Sequence, residues 1–339
     1  MSKGRKTLGV GVVGLGVGEQ HARAYARDRR CRLRWLYDIS AKQAKAVRKR
    51  VGAGGIAKSF EQILRDDNVD LVSIASFDHL HFAEVKAAFA AGKHVFVEKP
   101  LCRTKGELKT LIAAWKKAGK PHLMSNLVLR AAPLYGWLKK EIDKGALGEV
   151  YAFDGHYLYG RLSKITEGWR RNVPDYSVME GGGVHLIDLM LWLVGERPRR
   201  VATVGNRISA KGTKFRYDDF MASTFEFPSG LVGRITANFG SVHRHHHVVR
   251  VFGTKATFVY DDQGPRIHRL PYGGRKAMPL RWAALPAHKG ALIPGFVDGI
   301  LAGRDSTPAA RREFDLIAVV VAAAESHSRE RPVAIGYPK

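Results

Sequence analysis

Cysteine is nearly absent from this 339-residue chain: Cys31 and Cys102 are the only two. Two thiols cannot build a disulfide framework or a cysteine-based zinc cluster, and so sparse a use fits a reducing compartment. A cytoplasmic protein is therefore expected. Carboxylates are scarce as well, with 31 Asp and Glu against 56 Lys and Arg, a formal net charge of +25. No apolar run approaches the ~20 residues of a membrane span, so a membrane is not an expected partner. Residues 8–17, behind Lys3, Arg5 and Lys6, imitate a signal peptide. They are studded with glycine, lead into Glu19-Gln20-His21 and lack a clear small-residue cleavage site, so they read as a strand and its loop. Internal repeats and low-complexity segments are missing too.

The positive charge has no focus. It recurs at Arg27, Arg29 and Arg30, through residues 45–50, and at Lys139-Lys140, Arg170-Arg171, Arg199-Arg200 and Arg311-Arg312. Nucleic-acid recognition gathers charge on one face or motif, so nucleic acid is not an expected partner. A diffuse excess suits a solvated surface or the steering of an anionic small molecule. His243, His245, His246 and His247 invite a metal reading. Neighbours on a strand face opposite sides, and no cysteine or nearby carboxylate in sequence completes a ligand set, so no metal is expected. A place in a cleft or a subunit contact suits His245 or His247 better.

What is present is an alternation. Short apolar strands at residues 8–14, 32–37, 71–75, 94–97 and 122–125 are separated by helical stretches at 19–25, 41–51, 60–65, 81–91 and 106–118, with the glycine-rich residues 52–55 a break. That order predicts a doubly wound parallel sheet over residues 1–125. The pattern then changes. Helices at 131–144 and 185–194 accompany long strands at 150–159, 200–208, 220–227, 231–239 and 248–260, an irregular stretch at 261–290, and two late helices at 295–302 and 309–326. Strands in succession favour an antiparallel sheet, giving a second, α+β domain over 126–339. An apolar content of 45% is ample for both cores.

The chemistry-bearing residues fall at predicted strand ends. Gly14, Gly16, Val17 and Gly18 lie between a strand and a helix, where glycines let the backbone approach a pyrophosphate. The spacing is G-x-G-x-G, with Glu19 at the usual third position. Asp38 ends the second strand, where a carboxylate accepts from ribose hydroxyls and repels a 2′-phosphate, favouring NAD over NADP. Ser76, Phe77 and His81 follow the strand at 71–75; Asp78 has the chemistry to cap the following helix, and His81 is either a cofactor neighbour or a packed helix residue. Glu98-Lys99-Pro100 ends the strand at 94–97. The proline holds Lys99 towards extended geometry at the ligand-binding edge of the sheet, or else merely starts a helix behind a surface ion pair. The Lys99–Pro100 bond is of the kind that adopts cis cheaply.

Taken together, the glycine loop with His21-Ala22, Asp38, residues 76–81, Gly92-Lys93-His94-Val95 and Glu98-Lys99-Pro100 resemble the Gfo/Idh/MocA family, which includes glucose–fructose oxidoreductase and inositol 2-dehydrogenase. The likeness continues through Arg130, Pro133, residues 145–148, Trp169-Arg170, the run Gly181-Gly182-Gly183-Val184-His185-Leu186-Ile187-Asp188, Gly253-Thr254-Lys255 and Ala324-Glu325-Ser326. It implies a Rossmann domain over 1–125, a second domain over 126–339 built on an open, largely antiparallel sheet for substrate binding and oligomerisation, and hydride transfer between a nicotinamide and a sugar or cyclitol carbon, in a homodimer or homotetramer. It also implies that Lys99 is the active-site lysine, orienting the hydroxyl and stabilising a developing alkoxide, and that His185 is the acid/base, a role suited to imidazole. Tyr157, Arg161, Trp169 and Arg170 are expected near the substrate, where an arginine could pair with a carboxylate or phosphate, or else simply cover the sheet. Many relatives carry Asp four residues before the histidine; here that position is Gly181. His185 is thus left with Lys99 alone, or with Asp175, Tyr176 or Glu180 in that place, and Asp188 one turn later reads as a brace. The expected activity is that of an NAD-dependent sugar or cyclitol oxidoreductase, with an anionic sugar derivative suggested by the charge. The alternative is a dinucleotide-binding relative without catalysis.

Overall fold

The computed structural model describes residues 7–269 and 277–338. The chain divides into two compact units: residues 7–128 with 286–317, and residues 129–285 with 318–338. These are not the two consecutive segments expected from the change of pattern at 125/126, because a late segment returns to the first unit.

The first unit contains β1 (Leu8–Val13), α1 (Gly18–Arg27), β2 (Cys31–Tyr37), α2 (Ala41–Val51), β3 (Gly55–Ile56), α3 (Phe60–Arg65), β4 (Leu71–Ile74), α4 (His81–Ala90), β5 (His94–Val97), α5 (Lys105–Lys117) and β6 (Leu123–Ser125). Its strands form one sheet in the order β3-β2-β1-β4-β5-β6, with every pair parallel. The two-residue β3 lies in the glycine stretch that the sequence marks only as a break. Strand β1 is buried throughout, as the central strand of a sheet covered on both faces must be. The helices start where local chemistry allows. Ser40 and Ser59 accept from backbone N–H groups in the first turns of α2 and α3, and Thr104 with Glu107 forms a reciprocal capping box on α5. Gly52, in the left-handed region, ends α2. The strand order reverses between β1 and β4, and in sheets of this kind ligands bind beyond the carboxyl ends of the strands at that point.

The second unit opens with α6 (Pro133–Asp143), β7 (Val150–Leu158) and the single turn α7 (Ser163–Thr166). A 3-10 turn at Trp169–Asn172 and a π-helical turn at Met179–Gly183 then lead into α8 (Val184–Val194). The strands β8 (Arg200–Asn206), β9 (Phe220–Glu226), β10 (Val232–Asn238), β11 (His246–Gly253), β12 (Ala256–Asp261), β13 (Gly264–Arg269) and β14 (Met278–Pro279) follow, and then α9 (Ile293–Leu301), α10 (Thr307–Ser328) and β15 (Val333–Ala334). The nine-stranded sheet runs β14-β13-β12-β11-β7-β10-β9-β8-β15 and is antiparallel except where β7 meets β10. Three expectations are corrected. Helix α6 begins at Pro133, whose fixed φ suits a first helical turn. The strand expected over 248–260 is a hairpin, turned at Gly253-Thr254-Lys255 into β11 and β12. The stretch expected to be irregular contains β13 and β14, and its residues 270–276 lie outside the described residues.

The returning segment is part of the first unit's core. Ile293, Phe296 and Val297 of α9 join Leu8, Val10, Val12, Tyr25 and Phe96 in one buried cluster. Trp115 of α5 meets Phe314 of α10 edge-on at 5.5 Å.

Candidate active site

In the first unit the glycine loop divides its labour by position. Gly14 has φ +77°, and a Cβ there would sit 2.4 Å from the Ala75 carbonyl oxygen beyond β4, so only glycine closes this turn between β1 and α1. A Cβ on Gly16 would meet nothing within 4 Å, which leaves its backbone open to a ligand's approach. Gly18 lets α1 settle on the sheet, its Cβ position being 3.2 Å from Ala75 Cβ. These are the three tasks a dinucleotide loop asks of its glycines, the third met here one residue early. Val17 is the N-cap of α1 and supplies no side-chain cap. Glu19, at the position the usual third glycine would hold, is drawn to Arg50 and Arg23. The Arg50 hydrogen bond, against burial and with help from Arg23, lowers its carboxyl to about 2.

Asp38 follows β2 and ties the loop down, accepting from the Leu15 N–H at 2.7 Å and the Ser40 N–H at 2.8 Å. Ser76 donates to Glu84 of α4, and Phe77 stacks on His79 at 6.1 Å. His81 is fully buried. Its ring nitrogens lie 2.8 Å from the Pro100 carbonyl oxygen and 3.2 Å from that of Ser76. It fastens the loop after β4 to the loop after β5, as a packed helix residue does.

Lys99 leaves β5 half-buried and is joined to Pro100 by a cis peptide bond. The neighbouring Glu98 is held from two sides. His21 Nε2 is 3.2 Å from its Oε1, and Asn126 donates to the same oxygen at 2.7 Å. Burial would raise this carboxyl, but the His21 and Asn126 bonds and the Lys99 charge outweigh it and hold it at about 2. Glu98 is thus an anion fixed beside Lys99, a scaffold for that lysine more than a free ligand for a cofactor. His21 also faces Ser73 at 3.1 Å, and Asn126 donates to the Lys289 carbonyl oxygen on the returning segment. Neither was singled out as a site residue in the sequence. His21 lies among the buried positions Gly18, His21, Ala22 and Tyr25 of α1, and a histidine in that stripe was the available signal.

In the second unit His185 sits in the first turn of α8, half-buried. Its ring stacks on Tyr157 of β7 at 6.2 Å and 16° and meets His247 of β11 edge-on at 6.2 Å. Tyr157 is also the hub for Tyr159, Phe239 and His245, with ring centroids 5.3–5.8 Å away. Arg161 stands over Tyr159 at 5.6 Å, and Arg170 over Trp169 at 4.4 Å in the 3-10 turn. Burial, and then the neighbouring His245 and His246, push the His247 imidazole down to about 3, so it stays neutral. Burial likewise raises the Tyr157 phenol. The pairing of β7 with β11 sets Tyr157 opposite His247, which puts both rings on one side of the sheet.

The three glycines before His185 are close-approach positions. A Cβ on Gly182 would lie 2.4 Å from Tyr157 Cε1, and one on Gly183 2.4 Å from Met179 Sδ. A Cβ on Gly181 would lie 1.9 Å from the Tyr176 hydroxyl oxygen. Of the three residues offered for that place, Tyr176 therefore occupies it. Asp175 is exposed and Glu180 is buried in the turn. Asp188 is the brace expected: almost fully buried, it takes a forked bond from Arg130, with Nε 2.9 Å from Oδ2.

The His243 region differs from the sequence expectation in one respect. The fold carries Asp262 to 2.9 Å from His243 Nε2, a carboxylate nineteen residues away. Among the described residues no group of three or more His, Cys, Asp or Glu side chains is arranged to hold a metal ion, and no helix is long and apolar enough to cross a membrane.

Comparison with known proteins agrees with this geometry. Residues 8–126 match a family model described as an oxidoreductase family with an NAD-binding Rossmann fold, and residues 135–259 match the GFO/IDH/MocA C-terminal domain. An inositol 2-dehydrogenase of Acidothermus cellulolyticus is 26% identical over 97% of this chain and 95% of its own. A levoglucosan dehydrogenase of Pseudarthrobacter phenanthrenivorans is 26% identical over 76% of this chain and 74% of its own. A solved levoglucosan dehydrogenase in complex with NADH superimposes with a TM-score of 0.86 at 23% identity, covering 98% of this chain and 100% of that one.

Proposed function

The chain belongs to the Gfo/Idh/MocA family of NAD-binding oxidoreductases, and from that premise we propose that it moves a hydride between NAD and a hydroxyl or ketone carbon of a sugar or cyclitol. The observation that carries this reading is the glycine loop, in which Gly14 alone can make the turn while Gly16 stands open with Asp38 beside it. The residues fit the cofactor: the open backbone at Gly16 suits a pyrophosphate, and the Asp38 carboxylate suits ribose hydroxyls while disfavouring a 2′-phosphate. Bound NAD supplies the hydride acceptor.

The remaining work falls to side chains of this chain. Lys99, anchored beside the Glu98 anion, orients the substrate hydroxyl and steadies the charge that develops on its oxygen. His185 Nε2 or Nδ1 takes the hydroxyl proton in oxidation and returns it in reduction. Tyr157 and Trp169 offer flat faces to the C–H side of a sugar ring. Arg161 and Arg170 suit a carboxylate or phosphate on it, and the +25 charge supports an anionic derivative such as a uronate or nucleotide sugar.

The test begins with parallel calorimetric titrations of NAD⁺, NADH, NADP⁺ and NADPH. Tight NAD(H) and weak NADP(H) binding is expected. Turnover is then followed as NADH absorbance with myo-inositol, levoglucosan and glucuronate. Lys99→Ala and His185→Ala should each lower kcat at least ~100-fold with the NADH affinity unchanged. Folded protein that binds no dinucleotide would overturn the reading. Cofactor binding with no turnover on a broad sugar panel would favour the non-catalytic relative.

A further inference from the structure

We infer that Lys289, on the segment that returns to the first unit, is a cofactor-binding residue whose ammonium group meets the pyrophosphate of the dinucleotide. The inference rests on the reading of the glycine loop as a dinucleotide site and adds to it a residue from the far end of the chain.

The turn that carries Lys289 is fixed at three points. Asn126, buried just after β6, donates its amide to the Lys289 carbonyl oxygen at 2.8 Å and to Glu98 Oε1 at 2.7 Å. One side chain therefore ties the turn to the residue that precedes Lys99. Gly290, the next residue, is pressed against α1. A Cβ there would lie 2.7 Å from Ala24 Cβ and 3.1 Å from the Gln20 carbonyl oxygen, so only glycine allows this approach. Past it, the Ala291 N–H donates to the His288 carbonyl oxygen at 3.2 Å and the Ile293 N–H to that of Gly290 at 3.1 Å. The turn thus runs straight into α9, whose Ile293, Phe296 and Val297 are locked in the core. Buried groups set the Lys289 backbone from both sides, while the residue itself is exposed.

The anchors of this turn lie where the cofactor is expected. Glu98 and Asn126 follow β5 and β6, and the glycine loop follows β1, so in a parallel sheet all stand at the same edge. Gln20 is in the first turn of α1, two residues after Gly18, a rise of about 3 Å along the helix. The N–H groups of that helix start favour an anion, and the anionic part of a dinucleotide is its pyrophosphate. The four-carbon stem of a lysine spans such a rise and presents three N–H donors to phosphate oxygens. The charge of Lys289 is also uncommitted: among the described residues no carboxylate is paired with it. Arg23 and Arg50, by contrast, are spent on Glu19 in the same turn of α1 and bring no free charge to the phosphates.

The experiment is calorimetric titration of the full-length protein with NADH and with ADP-ribose, which keeps the pyrophosphate and lacks the nicotinamide. Lys289→Met keeps the stem and removes the charge. It should weaken both ligands about tenfold, with the thermal midpoint of the free protein unchanged and the difference shrinking as sodium chloride is raised. Lys289→Arg retains the charge and should restore most of the affinity. Equal affinities in wild type and Lys289→Met would overturn the assignment. So would a loss confined to NADH, which would put the amine at the nicotinamide end. If the wild type binds neither ligand, the dinucleotide reading fails and this assignment with it. Equal affinities in two proteins that both bind overturn the assignment alone.

Discussion

Acid should destabilise this protein through a histidine before it reaches the carboxylates, and His94 is the place to see it. This residue begins β5 and is packed against His122 at 5.3 Å, its Nδ1 accepting from the His122 backbone N–H at 3.0 Å. Burial, reinforced by the like charge of a protonated His122, lowers its imidazole from 6.5 to about 4. The folded state thus refuses a proton that the unfolded chain accepts. His94 therefore adds stability that is complete above pH 6.5 and is lost as pH falls towards 4. Integrated over that window, the loss between pH ~7.5 and ~5 is about 2 kcal/mol for this one group. His94→Asn keeps an acceptor near the Nδ1 position and removes the titration. Urea unfolding followed by far-UV circular dichroism at both pH values should show a wild-type stability that falls steeply and a variant whose fall is smaller by about 2 kcal/mol. The same fall in both proteins would refute the assignment. His247 follows the same sign in the second unit, where its depressed pKa of about 3 sets the low end of the window.

The glycine loop predicts a contrast between two alanine substitutions. Gly14→Ala meets both a positive φ and the Ala75 carbonyl, and should cost about 3 kcal/mol with loss of NADH binding. Gly16→Ala meets nothing and should leave the thermal midpoint alone while weakening NADH at least ~10-fold in calorimetry. Arg130→Met strands the buried Asp188 carboxylate and should destabilise the protein by about 3 kcal/mol in a urea titration, with His185 chemistry disturbed because Asp188 lies one turn along α8. Glu98→Gln removes the anion held by His21 and Asn126. It should cost about 2 kcal/mol at neutral pH and lower kcat through Lys99, with the stability difference closing as the pH falls from 4.5 towards 2.

Much of this was legible in the chain because it is governed by local rules. Alternating apolar runs and glycine-ended helices declared the parallel sheet, since each element needs only its neighbours' periodicity to be recognised. Asp38, Lys99 and His185 stood at strand or helix ends, where a change from apolar to polar side chains is visible in one dimension. The Gly253-Thr254-Lys255 turn was read through, because two β-branched, aromatic-rich runs separated by three residues look like one strand. The return of residues 286–317 to the first unit was hidden for another reason: α9 is an ordinary apolar helix, and nothing within it states which core it fills.

The sequence by itself determined the class of the protein and the parallel sheet with its glycine loop, all of which depend on residues close together in the chain. Only the tertiary structure decided that His21 and Asn126 hold Glu98, that Arg130 neutralises Asp188, and that Tyr176 fills the place left by Gly181. The reason is geometric. These contacts join residues five to more than a hundred positions apart, and what matters in them is where a side chain's last atom stops, which a string of residue types does not contain.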